Sequence, residues 1–400
     1  MSIKKSLIAL AVAGAFAAPI AAMAADGMMH APSNVTIYGQ MNASIDSIKD
    51  DNGAAGAPST FKTTKNNLSS TETRIGFKGS EDMGDGFTAL WQIESQVNLD
   101  NDNNGLNNAH NATTGGTRIG ERNTFVGVTN AEMGTVIAGR HDTPYKMSTR
   151  MLDPFLFTIA DNRSIMGNTL HDDFIGNVVA YVSPTINGMS FSAGTVFGSE
   201  MRDAAPAAAT NKKSSTLSLA GKYTMGGIYG TVAYQSIKFG TAAGTFAQNA
   251  FQLGVPLDKA TAMKIGGSYS MDTPNGMPVK VSAVYEQLKT DLLPTTSIKN
   301  SNIYIAGELG VTKELKVKGA YTMGSDLDIN GVKTNSGRNQ ATLGADYGLS
   351  ARTTVYANYT KLKNDAATTA AFLARLGPQS TGTSTGMAPS ALSVGVRHMF

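Results

Sequence analysis

The chain has no cysteine in 400 residues, which excludes a disulfide scaffold and thiolate metal centres. Beyond its N-terminal stretch, no run approaches the roughly 18 consecutive apolar residues of a membrane-spanning helix. A dominant charge sign is missing too. The 33 Lys and Arg, less Lys4 and Lys5, leave 31 against 30 Asp and Glu, a net charge of +1. So small a surplus gives no whole-protein basis for binding nucleic acid or an anionic surface. No motif calls for a cofactor.

Lys4 and Lys5 precede a small apolar run from Leu7 to Ile20, and Ala22-Met23-Ala24 fits an A-x-A cleavage site. Residues 1–24 therefore read as a secretory signal peptide and 25–400 as the mature chain. What is abundant is turn and strand material, with 43 glycines and 13 tyrosines. This profile fits a soluble β-protein or a transmembrane barrel, whose strands are apolar on one face only. Composition does not choose between them.

Periodicity does. Val35, Ile37, Gly39, Met41, Ala43 and Ile45 share one face of a strand, and Thr36, Tyr38, Gln40, Asn42, Ser44 and Asp46 the other. After a polar connection at about 49–69, Thr73, Ile75 and Phe77 oppose Glu72, Arg74 and Lys78. The returning strand sets Phe87, Ala89, Trp91 and Ile93 against Gln92, Glu94 and Gln96. About sixteen such strands follow one another, with short turns alternating with long connections, as in an antiparallel all-β transmembrane barrel. Seven tyrosines, Tyr223, Tyr234, Tyr269, Tyr285, Tyr321, Tyr347 and Tyr359, fall on the apolar side as a membrane-interface girdle requires. In hydrocarbon every backbone polar group must be paired, which a closed barrel achieves. Sixteen strands leave a water-filled interior, so a polar inner face means a channel.

One stretch breaks the alternation, from Arg140 to Asp173. Thr143-Pro144-Tyr145 reads as a helix start, with Thr143 as N-cap, and Asp153-Pro154 as its stop. A connection of about thirty residues between strands is more often functional than idle. It is expected to fold into the lumen as a constriction loop at about 141–173.

The segment Thr73-Arg74-Ile75-Gly76-Phe77-Lys78-Gly79-Ser80-Glu81-Asp82-Met83-Gly84-Asp85-Gly86-Phe87, with Ala89-Leu90-Trp91-Gln92-Ile93-Glu94, closely resembles the first periplasmic hairpin of trimeric general-diffusion porins of the betaproteobacterial type. Arg122-Asn123-Thr124-Phe125-Val126-Gly127-Val128, Met133 to Arg140, Asp153-Pro154-Phe155, Tyr181-Val182-Ser183-Pro184 and the ending Val394 to Phe400 match in register. The resemblance spans essentially the whole mature chain. It implies a sixteen-stranded antiparallel β-barrel with an inward-folded third loop, located in the bacterial outer membrane among lipid and lipopolysaccharide. It further implies a homotrimer, passive diffusion of ions and small hydrophilic solutes, and a terminal Phe400 read by the barrel-assembly machinery. One departure stands out: Phe174 precedes Asn177 where the family pattern usually carries an arginine.

Parity places Glu72, Arg74 and Lys78 in the lumen, with Arg122 and Arg140 on the wall facing the loop. The loop adds Asp142, Lys146, Arg150, Asp153, Asp161 and Arg163, with Asp172 and Asp173 beyond. Opposed fixed charges across a narrow pore favour polar solutes, and the surplus sign sets ion preference. The resemblance implies a modest anion preference from the wall arginines; mutual pairing that pins the loop is the competing role for each charge. Gly39, Ala43, Gly76, Ala89 and Gly127 read as a low outer surface for a neighbouring protomer.

Other signals carry less. Asp100-x-Asp102-x-Asn104-Gly105 lacks the bidentate Glu of a calcium loop, having Asn111 there. Gly382-Thr383-Ser384-Thr385-Gly386 has no strand leading into it, as a nucleophile elbow needs. His141 and His171, with Asp142 and Asp172, form at most a loose metal site. Ala366–Arg375 reads as a short helix. A barrel enzyme would need converging nucleophile and base, for which no set is present. A surface adhesin or receptor is the alternative to a channel.

Overall fold

A computed structural model of the protein describes residues 34–49, 64–97, 99, 119–166, 170–172, 174–198, 214–239, 257–292, 294–366 and 386–400. The signal peptide, Asp173, the Asp100–Asn111 motif, Gly382-Thr383-Ser384-Thr385 and most of the Ala366–Arg375 helix lie outside these residues.

Nineteen hydrogen-bonded segments join one sheet. Two of them, Asp328–Ile329 and Val332–Lys333, form a small hairpin in the connection between two strands. Two others, Thr64–Ser70 and Arg74–Gly84, are halves of one strand, because both pair with the same first strand. The ring therefore has sixteen members. These are β1 (Asn34–Lys49), β2 (the two halves), β3 (Phe87–Gln96), β4 (Thr124–Asn130), β5 (Gly134–Asp142), β6 (Phe174–Val182), β7 (Met189–Gly198) and β8 (Ser214–Met225). They continue as β9 (Ile228–Lys238), β10 (Leu257–Asp272), β11 (Pro278–Leu292), β12 (Thr296–Gly310), β13 (Leu315–Gly324), β14 (Arg338–Gly348), β15 (Thr353–Asn364) and β16 (Ser390–Met399). All neighbours are antiparallel, and β1 closes on β16 with Gln40 opposite Met399 and Lys49 opposite Ser390.

The alternation read from sequence sets which side faces in. Along β1, Gln40, Asn42, Ser44 and Asp46 are buried while Ile37 and Ile45 are 59% and 64% exposed. An aqueous protein would invert this, but a barrel in hydrocarbon presents its apolar residues outward. Tyr234, Tyr269, Tyr285, Tyr321, Tyr347 and Tyr359 are all exposed on that outer face, and Tyr223 is half-buried. Short turns join strands at one end. Between β2 and β3 the turn is Asp85-Gly86, with φ of 52° and 77°, the left-handed pair that a two-residue hairpin needs.

Three readings need correction. The second strand begins at Thr64, inside the polar connection expected at 49–69. Thr73 does not share the outer face of Ile75 and Phe77. The strand breaks at Thr71–Thr73, Glu72 takes a φ of 56°, and the Thr73 hydroxyl turns inward to donate to the Asn42 carbonyl at 3.0 Å. Gly76 and Gly127 are inner-face glycines. A Cβ at Gly76 would run into the Tyr38 ring, and one at Gly127 would meet the buried Ile137 side chain. Gly39, Ala43 and Ala89 keep the outer parity.

Candidate functional site

The connection after β5 opens with α1 (Pro144–Thr149), whose N-cap Thr143 accepts from the Lys146 amide at 3.2 Å. A short 3-10 turn, Arg150–Leu152, follows and ends at Asp153, whose extended backbone leads into Pro154. The helix is too short to hold itself together by its own hydrogen bonds. Side chains on the inner faces of successive strands hold it instead. Tyr145 donates its hydroxyl to Glu286 Oε1 of β11 at 2.7 Å and its amide to Ser218 Oγ of β8 at 2.9 Å. Tyr229 of β9 donates to the Ser148 carbonyl at 2.6 Å, and Lys280 of β11 to that of Met151 at 2.8 Å. Tyr304 of β12 donates to Asp153 Oδ1 at 2.7 Å, Lys318 of β13 to the Pro154 carbonyl at 2.9 Å, and Gln340 of β14 to the Ala160 carbonyl at 3.1 Å. Finally Ile159 and Ile165 pack with Ile48, Leu362 and Ala391 of β1, β15 and β16, and Asn42 donates to the Phe157 carbonyl at 2.8 Å. The segment thus follows the inner wall from β8 round to β1.

Two ion-pair groups collect most of the expected charges. In the first, Arg122 contacts Glu72 at 2.6 Å and Glu94 at 2.7 Å, and Arg74 lies 3.5 Å from Glu94. Arg163 reaches this group from the loop, 3.6 Å from Glu72, and also pairs with Asp161 at 2.7 Å and Asp172 at 3.5 Å. In the second, Asp142 accepts Lys146 at 2.6 Å, with Arg150 3.7 Å away and Asn123 Nδ2 at 3.3 Å. Phe157 lies between the two groups with its ring centroid 5.3, 5.2 and 5.9 Å from Arg74, Arg150 and Arg163. Its φ of 66° is a strained value for a bulky residue.

The remaining expected residues sit elsewhere. Lys78 lies over the Tyr38 ring at 5.3 Å. Arg140, opposite Thr124 and next to a bulge between Gly139 and His141, donates Nε to the Glu121 carbonyl at 2.5 Å. Asp153 is held on the β12 side by the Tyr304 hydroxyl and accepts the amide of Asn162, next to Asp161. Phe174 does not leave a gap where an arginine was expected. Its ring is a seat for two cations, with Lys146 Nζ at 3.9 Å and Arg122 at 4.7 Å.

Burial governs the ionisation of the loop. It pushes the Asp153 carboxyl up to about 6, with the nearby Asp161 charge adding to the rise, against hydrogen bonds from Asn162, Tyr304 and Phe155. Burial alone would lower the Arg163 guanidinium, but Asp161 and Asp172 hold it well above its ordinary range. His171 is pushed down to about 3 by burial, reinforced by Lys264, and is therefore neutral. Its Nδ1 is 3.1 Å from Gln235 Nε2, while His141 Nδ1 is 2.7 Å from the Asp142 carbonyl. The two histidines have separate partners, and no group of three metal-ligating side chains occurs among the described residues.

The residues not singled out from sequence are the inner anchors Tyr229, Lys280, Glu286, Tyr304, Lys318 and Gln340, together with Lys264, whose Nζ lies 3.4 Å from Thr149 Oγ1 of the helix. Their signal was available. Each stands on the polar parity of its strand, two positions from another inward residue, as Tyr304 does beside Asn302 and Ala306.

A family model described as Gram-negative porin matches residues 9–367. Major outer membrane protein P.IB of Neisseria sicca is 28% identical over 367 residues, covering 88% of this chain and 91% of that protein. Outer membrane porin protein 32 of Delftia acidovorans is 25% identical over 405 residues, covering 99% and 100%. Among solved structures, the anion-selective porin from Comamonas acidovorans has a TM-score of 0.66 at 20% identity, covering 92% of this chain and 100% of that one.

Proposed function

Since the chain belongs to the Gram-negative porin family, and so forms an outer-membrane channel for passive diffusion of ions and small hydrophilic solutes, we propose that the loop at about 141–173 is its constriction. The observation that carries this is the continuous attachment of that loop to inner-face side chains from β8 round to β1. A segment held along the inner wall takes cross-section from the lumen and lends it fixed charge. Glu72, Arg74, Lys78, Arg122, Arg140, Asp142, Lys146, Arg150, Asp153, Asp161 and Arg163 are the proposed constriction charges. Most are paired, which keeps selection weak. The surplus is positive, because the seven cations of this set stand against its four carboxylates, Glu72, Asp142, Asp153 and Asp161, and the pairing partners Glu94 and Asp172 raise the acids only to six. The preference proposed is therefore for anions, modest in size, with water and solute ordered by the transverse field.

The proposal extends to assembly. The low outer surface at Ala43 and Ala89 suits contact with a second copy, Gly39 being covered by the Phe400 ring, and a homotrimer is the expected state. Phe400 is proposed as the residue read by the barrel-assembly machinery, and the mature protein as lacking residues 1–24. The chain is taken to pass solutes without chemical conversion.

Conductance and reversal potential in a planar bilayer under a potassium chloride gradient test this. Steps grouped in threes and a potential of the anion-preferring sign are expected, with larger steps and weaker selection once the loop is shortened. Unchanged conductance after shortening would overturn the constriction.

A further inference from the structure

We propose that Asp46 of β1 binds a single monovalent alkali cation, sodium or potassium, between the barrel wall and the loop, with the hydroxyls of Ser44, Ser69 and Ser393 as further ligands. Such a site needs only the water-filled barrel and the loop on its wall, whatever ions the pore prefers.

Asp46 stands on the inner face of a hollow barrel and is nonetheless fully buried, as are Ser69 and Ser393 beside it. The loop covers them. Asn42, four positions before Asp46, donates to the Phe157 carbonyl at 2.8 Å, and Ile48, two positions after it, packs with Ile159 and Ile165. Elsewhere in the lumen buried acids have cationic partners. Glu72, Glu94, Asp142, Asp161, Asp172 and Glu286 each meet a lysine or arginine at 2.6 to 3.8 Å, and Asp153 accepts three hydrogen bonds instead. Among the described residues Asp46 has neither arrangement. The groups facing its carboxylate are the hydroxyls of Ser393, Ser69 and Ser44, with no cationic side chain among them. Neither Asp46 oxygen has a hydrogen-bond partner, and the same holds for Ser69 Oγ and Ser393 Oγ.

Strand register brings the four oxygen-bearing side chains together. Ser393 of β16 is directly opposite Asp46, Ser44 is the preceding inward residue of β1, and Ser69 of β2 is directly opposite Ser44. The set therefore bridges three adjacent strands at the place where the ring closes. A carboxylate buried without a counter-charge is costly. Hydroxyls can solvate it but cannot neutralise it, whereas a cation does so and takes the serine lone pairs as ligands. An all-oxygen set suits a hard cation. One carboxylate balances one positive charge, which favours an alkali ion over calcium, whose sites draw on several charged ligands. Water in the lumen brings such ions to the loop. Bound at Asp46, the cation joins β16, β1 and β2 beneath the stretch from Phe157 to Ile165.

The test is thermal unfolding of the purified full chain in neutral detergent, followed by circular dichroism, in sodium, potassium and N-methylglucamine chloride, with calcium chloride as a separate arm. All four are set to one ionic strength, which holds screening constant. The parent is expected to unfold at a higher temperature in the two alkali salts, because a ligand bound only by the folded form stabilises it. Asp46→Asn keeps the shape without the charge and is expected to lose that shift. Ser393→Ala keeps the charge and is expected to need severalfold more sodium for the same shift. Crystals soaked in a thallium(I) salt are expected to show an anomalous peak beside the Asp46 carboxylate in the parent and none in Asp46→Asn. Should Asp46→Asn fold poorly, Ser393→Ala and the soaked parent decide the matter. Equal unfolding of the parent in all salts, no thallium peak at Asp46, or a shift produced by calcium alone would overturn the proposal. Conductance measured on the same preparations reads the channel separately, so a failed cation site and a failed channel are distinguishable.

Discussion

Tyr304 and Asp153 stand 151 positions apart and share a hydrogen bond of 2.7 Å, which ties the end of the loop's helical part to β12. Asp153 also accepts the amides of Phe155 and Asn162 at 2.8 and 2.9 Å. Both side chains are buried. A hydrogen bond to a carboxylate of this kind is worth roughly 1.5–3 kcal/mol. Tyr304→Phe removes it while keeping the ring in place. The expected outcome is a loop that leaves its position more often, seen as added current noise in single-channel records at unchanged heat stability of the barrel. Quiet records like those of the parent would show that the remaining anchors suffice.

The same carboxylate is expected to make ion preference depend on pH. Burial raises Asp153 to about 6, so the folded chain holds the proton more tightly than an unfolded one. Its contribution to stability is full below the ordinary aspartate value and is lost as pH rises through 6. Over that window the loop gains one negative charge. Anion preference should therefore be stronger at pH 5 than at pH 7.5, and Asp153→Asn should flatten the difference. Reversal potentials measured across that range check it, and a parent channel with no change between the two values would remove Asp153 from the selecting charges.

Arg122 bridges Glu72 and Glu94 with little access to water. Arg122→Ala removes the closest cation from two buried carboxylates, leaving Glu72 with Arg163 at 3.6 Å and Glu94 with Arg74 at 3.5 Å, so the cost is bounded by the about 3–5 kcal/mol of breaking a comparable buried pair outright. Glu72→Gln in the same chain returns part of that loss, because one of the two charges is gone. The temperature at which the folded form disappears on unheated gels should rank parent, double variant, single variant. Equal values for all three would mean that water screens the site as it would a surface pair.

Much of the wall was legible because a period of two is hard to mistake over sixteen strands, and Pro144 and Pro154 bracket the helical turn whatever surrounds it. Interior detail was less so. Glu72 takes its inward position from a break in β2 with a left-handed backbone at a non-glycine residue, which no local sequence signal announces. The partners of Arg122 lie 28 and 50 positions away, so pairing depends on closure of the ring. Gly76 and Gly127 were grouped with outer residues for their size, although the alternation with Arg74 and Lys78 already placed Gly76 inside. Tyr304 was passed over for the opposite reason: tyrosines were sought at the outer girdle, while the inward ones hold the loop.

The place of Phe400 in the closing seam and its proposed part in assembly are separable, and Gly39 distinguishes them. The terminal residue extends β16 by accepting the Gly39 amide at 3.0 Å and donating its own to the Gly39 carbonyl at 3.2 Å. Its ring lies over Gly39, where an added Cβ would run into it and into the Arg74 carbonyl. Gly39→Ala therefore overpacks the closing seam, by about 1–3 kcal/mol, and leaves the terminal aromatic present. Deleting Phe400 loses both hydrogen bonds, each worth roughly 0.5–1.5 kcal/mol, and the aromatic end together. Both changes should lower heat stability. Only the deletion should reduce the fraction of newly made chains that reach the membrane, if the terminal aromatic is what the assembly machinery reads. Measuring that fraction at matched stability separates the two. An equal defect in Gly39→Ala would place the requirement in closure of β1 on β16, with Phe400 acting as the last residue of a strand.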